Sequence, residues 1–247
     1  MKEIVSMQIS SVVSRTKLFS HLYIEERVMD HPLTQKIIKK FDSAKIVTIN
    51  HYKDVFNRTS QNFSMQSISK KLILAHKDGK FLHDGSPYSD SFDFKQFFYA
   101  STVMGCLYDC HYCYLQGLYP SANTVLFVNL EDAFIELNPY LNTNTLVATS
   151  YDTDTLAIES LTGQTKQWID FTRDHKHLYL EIRTKSAYTK IFSDLSPYQN
   201  ITFAWTLSPQ PIIDKYEWAT PSLVQRLKAA QVAINKGWNV RLCIDPI

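Results

Sequence analysis

The residues with most chemistry to offer are crowded into GCLYDCHYCYLQ, residues 105–116. Three of the chain's four cysteines, Cys106, Cys110 and Cys113, fall there within eight residues. Thiolates bind zinc or iron–sulfur clusters, and structural sites of either kind usually close with four protein ligands. A fourth ligand is hard to find. His111 adjoins Cys110 and should point away while its neighbours bind one centre, and Cys243 belongs to a distant run. A cubane held by three cysteines leaves one iron open to a small molecule. The spacing therefore points to a site-differentiated [4Fe–4S] cluster, with zinc or reduced structural cysteines as alternatives.

The 247 residues, 45% hydrophobic and 20% charged, suffice for one large domain or two small ones of ordinary globular type. MKEIVSMQISSVVSR carries Glu3 and no apolar run of signal-peptide length, and no stretch approaches a membrane span. We read a cytoplasmic protein without a membrane partner, where thiols stay reduced and act as metal ligands. The net charge of +2 conceals an asymmetry. Residues 36–80 hold ten Lys or Arg against Asp42, Asp54 and Asp78, a local net of +7. A phosphate-contacting surface has this composition, and so does an ordinary solvated basic face.

The elements that must position the cysteines are legible from periodicity. A helix is predicted at about 32–42, capped by Asp30, with Leu33, Ile37, Ile38 and Phe41 at helical spacing. IVTI (46–49) reads as a strand, and KLILAHKDGKFL (71–82) as a strand or short helix followed by a turn at Asp78-Gly79. GSPYSDS (85–91) is the candidate boundary between a basic α/β module, 1–95, and a second unit, 96–247. In that unit FFYASTVM (97–104), TLVATS (145–150), LYLEIRT (178–184), ITFAWTL (201–207) and NVRLCI (239–244) are apolar enough to be buried strands. Between them, Asn129 should cap LEDAFIEL, with Asp132 three residues on and Pro139 after it. Thr220 should cap a second helix, with Pro221 first, Leu223, Val224, Leu227, Ala230 and Ile234 on one face, and Gly237 at its left-handed end. Strands alternating with helices predict a parallel sheet whose active site lies at the strands' C-terminal ends. The cysteine loop, directly after the first strand, falls on that rim.

Cys-x3-Cys-x2-Cys with an aromatic before the third cysteine is the motif of the radical S-adenosylmethionine (SAM) superfamily. CHYCYLQ followed by VLFVNLEDAF (125–134) more specifically resembles spore photoproduct lyase, from about residue 70 onward. The resemblance implies a partial (βα)6-type radical SAM barrel, here apparently truncated after the fifth strand. It implies a [4Fe–4S] cluster on Cys106, Cys110 and Cys113, and SAM as second cofactor. It further implies a carbon–carbon lyase that restores two thymines from a methylene-bridged thymine dimer in DNA, fed by an electron donor such as flavodoxin or ferredoxin. Tyr112 would relay hydrogen atoms and Tyr114 would lie near SAM; Thr153, Asp154, Lys185 and, less directly, Ser208 would contact SAM.

Two departures from the family pattern stand out. Where many such lyases carry the cysteine that returns hydrogen to the product, this chain has Tyr151, and its remaining thiol is Cys243. The resemblance also reaches the chain's end at CIDPI, short of the family's C-terminal DNA-gripping region. A radical SAM enzyme of the same family with a different substrate, and a zinc-stabilised nucleic-acid-binding protein, are the alternative readings.

Overall fold

The structure, a computed structural model, describes residues 18–86 and 91–244. Most of the expected boundary at 85–91, the N-terminal reading and the end of CIDPI lie outside the described residues.

The chain opens with β1 (His21–Glu25), α1 (Pro32–Lys40), β2 (Lys45–Ile49) and two short helices, α2 (Lys53–Phe56) and α3 (Phe63–Ser67). β3 (Leu72–Ala75) then pairs parallel with β1, which pairs parallel with β2 on its other side. Strand alternation divides β3 between two cores. Leu72 and Leu74 pack with Phe19, Ile24 and Ile37, while Ile73 and Ala75 pack with Phe56, Phe81 and Phe127. Burial on both faces explains why LILA is uniformly apolar.

Asp78-Gly79 closes no hairpin. β4 (Leu82–Asp84) crosses to a second sheet and pairs antiparallel with β5 (Gln96–Ala100), while Asp78 accepts two hydrogen bonds from Arg27 at 2.7 and 2.8 Å. The run FFYASTVM, read as one strand, is also two. β5 stays in the second sheet, whereas β6 (Val103–Met104) joins the first. The break falls at buried Ser101 and Thr102, whose hydroxyls donate to Asp152 and Gln164. The cysteine loop therefore follows β6.

β7 (Asp109–Cys110) and α4 (Leu115–Leu118) lie within that loop region, and β8 (Thr124–Phe127) completes the first sheet in the order β2-β1-β3-β8-β6. Beyond α5 (Leu130–Leu137) the expected alternation holds: β9 (Thr145–Ala148), α6 (Thr155–Thr162), α7 (Gln164–Arg173), β10 (Leu178–Thr184), α8 (Ile191–Asp194) and β11 (Ile201–Leu207). Then come α9 (Gln210–Tyr216), β12 (Glu217–Trp218), α10 (Leu223–Asn235) and β13 (Asn239–Ile244). The second sheet runs β13-β11-β10-β9-β5-β4, parallel except for β4. This is the α/β, partial (βα)-type barrel sheet expected from the sequence.

Helix ends differ in detail. His31, not Asp30, caps α1, its Nδ1 accepting from the Leu33 N–H. Asn129 sits at the start of α5, but its side chain bonds the Lys77 backbone and Asp132. Ser222 caps α10 in a reciprocal box with Gln225, and Gly237 has φ +84° as its position requires. The face of α10 turned inward is Arg226, Ala229, Ala230 and Ala233; Val224, Leu227 and Ile234 are exposed. A buried partner for Arg226 rotates the helix away from the apolar stripe expected.

Candidate active site

The C-terminal ends of β9, β10 and β11 and the cysteine loop enclose a pocket of about 710 Å³. Cys106, Cys110 and Cys113 all line it, with Tyr112, Tyr114, Tyr151, Thr153, Asp154 and Lys185. Residues drawn from three separate motifs of the sequence thus meet at one place. No disulfide joins the cysteines. Among the described residues, no three His, Cys, Asp or Glu are gathered tightly enough to hold a single metal ion. His111 faces the other way, its ring 4.6 Å from that of Trp218.

The loop is fixed by its backbone. Gly105 opens it at φ +83°, and a Cβ there would lie 2.6 Å from the Asn123 carbonyl oxygen, so only glycine fits. Lys70 Nζ donates to the carbonyls of Cys106, Leu107 and Tyr108 at 2.7, 3.2 and 3.1 Å. Burial lowers the Lys70 pKa, opposed by the neighbouring cysteines and Asp109. β12 pairs antiparallel with β7, placing Glu217 opposite Cys110, and the His111 N–H donates to the Tyr216 carbonyl at 2.8 Å. Below this pairing Glu217 and Arg226, with fully buried side chains, form an ion pair. Arg226 also donates to Thr206 O at 3.1 Å, Pro221 O at 2.9 Å and Thr220 Oγ1 at 2.7 Å. Glu217 accepts from the Tyr112 hydroxyl and from Ser208 Oγ at 2.6 Å. Burial works against the Glu217 carboxylate, but Ser208, Tyr112 and Arg226 together hold its pKa below the usual value.

Burial pushes the Cys106 thiol up to about 11 and the Cys110 thiol up to about 12. Backbone N–H groups of Tyr108 and Asp154 point at the Cys106 sulfur and favour its anion. Both shifts favour the thiol over the thiolate, so a metal taken up here would have to displace their protons. Asp154 caps α6 through the Ala157 N–H at 3.0 Å and accepts from Thr184 Oγ1 at 2.8 Å and the Lys185 N–H at 2.7 Å. Its carboxyl pKa is raised by burial against those bonds. One carboxylate thus ties the end of β9 to the end of β10. Lys185 Nζ lies 5.6 Å from the Tyr112 ring centroid.

Tyr151 stacks on Tyr99 with ring centroids 4.3 Å apart, and its carbonyl accepts the Tyr114 hydroxyl at 2.5 Å. Phe97 and Tyr99 extend this aromatic wall. Burial raises the Tyr112 and Tyr114 phenol pKa values well above the usual range. Two candidates lie away from the pocket lining. Ser208 is buried and spent on Glu217. Cys243 is paired in register with the pocket residue Thr206. The sequence reading missed Lys70 as a loop anchor and missed the Glu217–Arg226 pair altogether. An arginine one residue before Leu227 and three after Leu223, on a face otherwise built of Ala, was its only signal.

A parallel α/β sheet carrying three convergent cysteines beyond its strand ends defines a protein of the radical SAM class. A model of the spore photoproduct lyase family matches residues 18–247, and the chain belongs to that family of lyases. It is 24% identical over 236 residues to the spore photoproduct lyase of Geobacillus sp. (strain Y412MC61), covering 92% of this chain and 67% of that one. The Bacillus subtilis (strain 168) lyase is 25% identical over 238 residues, with the same coverage. A solved spore photoproduct lyase complexed with dinucleoside spore photoproduct superposes with a TM-score of 0.81 at 22% identity, over 94% of this chain and 69% of that chain. A double mutant of such a lyase, with bound AdoMet and dinucleoside spore photoproduct, superposes with a TM-score of 0.79 at 23% identity, over 93% of this chain and 68% of that chain. No helix among the described residues is long and apolar enough to cross a membrane.

Proposed function

We propose that this chain repairs a methylene-bridged thymine dimer in DNA, holding a [4Fe–4S] cluster on Cys106, Cys110 and Cys113 and SAM against Thr153, Asp154 and Lys185. The observation that carries this reading is the meeting of all six in one pocket. The donor set fits the groups: three cysteine thiols and a lysine ammonium for a carboxylate line one pocket with room for both. When bound, the pair supplies a hydrogen-abstracting radical by reductive cleavage of the SAM sulfonium.

The protein's part is orientation. The Ala157 N–H, Thr184 Oγ1 and the Lys185 N–H fix the Asp154 carboxylate in the pocket lining, beside which a ribose would lie. Glu217 accepts the Tyr112 hydroxyl and fixes the phenol beside the cysteines, where it can pass on a hydrogen atom. The aromatic wall of Phe97, Tyr99 and Tyr151 offers stacking surface to a thymine pair drawn out of the duplex. Return of hydrogen to the product falls to Tyr151 or Tyr114, whose rings line the pocket, in place of the family's cysteine. Cys243, set back beside Thr206, is the less direct donor. Exposed Lys36, Lys39, Lys45, Lys53, Arg58 and Lys80 are the phosphate-contacting surface. A low-potential flavodoxin or ferredoxin supplies the electron.

Anaerobic reconstitution, reduction and addition of SAM and a dinucleotide spore photoproduct test this, with products separated by chromatography. Thymine dinucleotide forming over many turnovers is the expected result. Tyr151 stacked where a cysteine is expected favours a second reading, the same radical chemistry on another substrate. Deoxyadenosine released without repaired thymines would select it.

A further inference from the structure

Lys70 belongs to the segment between α3 and β3, outside the cysteine motif, yet its ammonium reaches into that motif from behind. An ammonium has three N–H donors, and Lys70 spends them on three consecutive carbonyls, those of Cys106, Leu107 and Tyr108. Three successive carbonyls drawn to one point force the intervening peptide N–H groups toward the opposite side. On that side lie the pocket and the sulfur of Cys106, which the Tyr108 N–H faces. Gly105 at φ +83° supplies the reversal that lets the loop turn its carbonyls out. The side chain is partly buried, and the opposing charges that act on it are those of Cys106, Cys110, Cys113 and Asp109. On the pocket side the facing cation is Lys185.

We propose that Lys70 is a positioning residue for the iron–sulfur site: it holds carbonyls 106–108 turned away from the sulfurs and sets one positive charge behind the loop, stabilising an anionic cluster and its reduced form above all. This rests on the cluster reading of the preceding section. The role differs from the one composition assigned to this lysine, which counted it toward a phosphate-contacting surface. A cation spent on three backbone carbonyls is not available to DNA.

The test compares Lys70→Gln, Lys70→Met and Lys70→Arg with the parent, in both cofactor-free and reconstituted protein. In the cofactor-free protein, amide exchange at residues 106–110 should quicken at least about tenfold in K70Q and K70M, the equivalent of one lost charge-assisted hydrogen bond. After reconstitution, the two neutral variants should retain less than about half the parent's iron on gel filtration and show a more negative cluster midpoint. K70R should restore both, a rescue that a purely structural role for the side chain would not require. Parent-like exchange, iron content and midpoint in K70Q would overturn the proposal, as would a folded K70R that loses iron as K70M does. If K70M fails to fold, K70Q and K70R decide. If the parent itself takes up no iron, the cluster reading has failed, and the exchange rates still decide whether Lys70 holds the loop.

Discussion

The side chains that make this pocket work are mostly not the ones that would touch its ligands. Glu217 and Arg226 are buried as a charge pair, and the carboxylate also carries Tyr112 and Ser208. Removing one member leaves an uncompensated charge in the interior, so Arg226→Met should cost about 3–5 kcal/mol in denaturant unfolding. Arg226→Met combined with Glu217→Leu should recover part of that loss, because two apolar side chains bury without a charge. Equal midpoints for the single and double variants would sink the pairing argument. A half-buried cation behaves differently. Lys77 donates to the Ser101 carbonyl at 2.8 Å and lies 5.0 Å from the Phe81 ring centroid. Burial lowers its pKa from 10.5 to about 8. The unfolded chain therefore binds more protons than the folded one above pH 8, and stability from this group rises with pH. Between pH 8 and 10 the parent should gain stability relative to Lys77→Met; a flat difference across that window would contradict the assignment.

At the scale of elements, the cysteine loop is held from two sides. The segment before β3 supplies Lys70, and β12 pairs with β7 inside the loop itself. The ends of β9 and β10 are tied by Asp154, which serves Ala157, Thr184 and Lys185 at once. Asp154→Ala should lower the melting temperature of the cofactor-free protein by more than loss of a helix cap alone, which is about 1 kcal/mol. Asp154→Asn should fall between, since an amide oxygen still accepts. Equal melting for D154A and the parent would show that the tie is idle. β9, β10 and β11 were legible in the sequence because each is a short run dense in buried residues between clear helix signals. β13 forms where NVRLCI was expected, but as an edge strand with Leu242 and Ile244 exposed, not buried. The β5–β6 split was not, because both halves are apolar and the break depends on Asp152, 51 residues further along. The continuous run TVLF forms β8, buried along its whole length. The rotation of α10 was hidden for a related reason. Its exposed Val224, Leu227 and Ile234 make the better apolar stripe, and only the distant Glu217 turns Arg226 inward. Among the pocket-lining residues, the cysteines were visible through their spacing, and Thr153, Asp154 and Lys185 through the family resemblance, whereas Lys70 and Glu217 act through long-range contacts that no local pattern encodes.

Among the described residues two large sheets share a core, and the two-stranded β7–β12 pair holds the cysteine loop. One face of β3 and β8 packs against the second sheet, and the other packs with α1 and with Ile158 and Leu161 of α6. The basic stretch that first suggested DNA is thinner at the surface than its composition implies, since Lys70 and Lys77 turn inward. The measurement that tests the account most directly is iron and acid-labile sulfide on protein purified and reconstituted without oxygen, with an electron paramagnetic resonance spectrum of the reduced protein before and after SAM. The account predicts about four irons and four sulfides per chain, a spectrum that changes on adding SAM, and loss of both in Cys106→Ala, Cys110→Ala or Cys113→Ala. Zinc without sulfide, or a full cluster whose spectrum is indifferent to SAM, would contradict it.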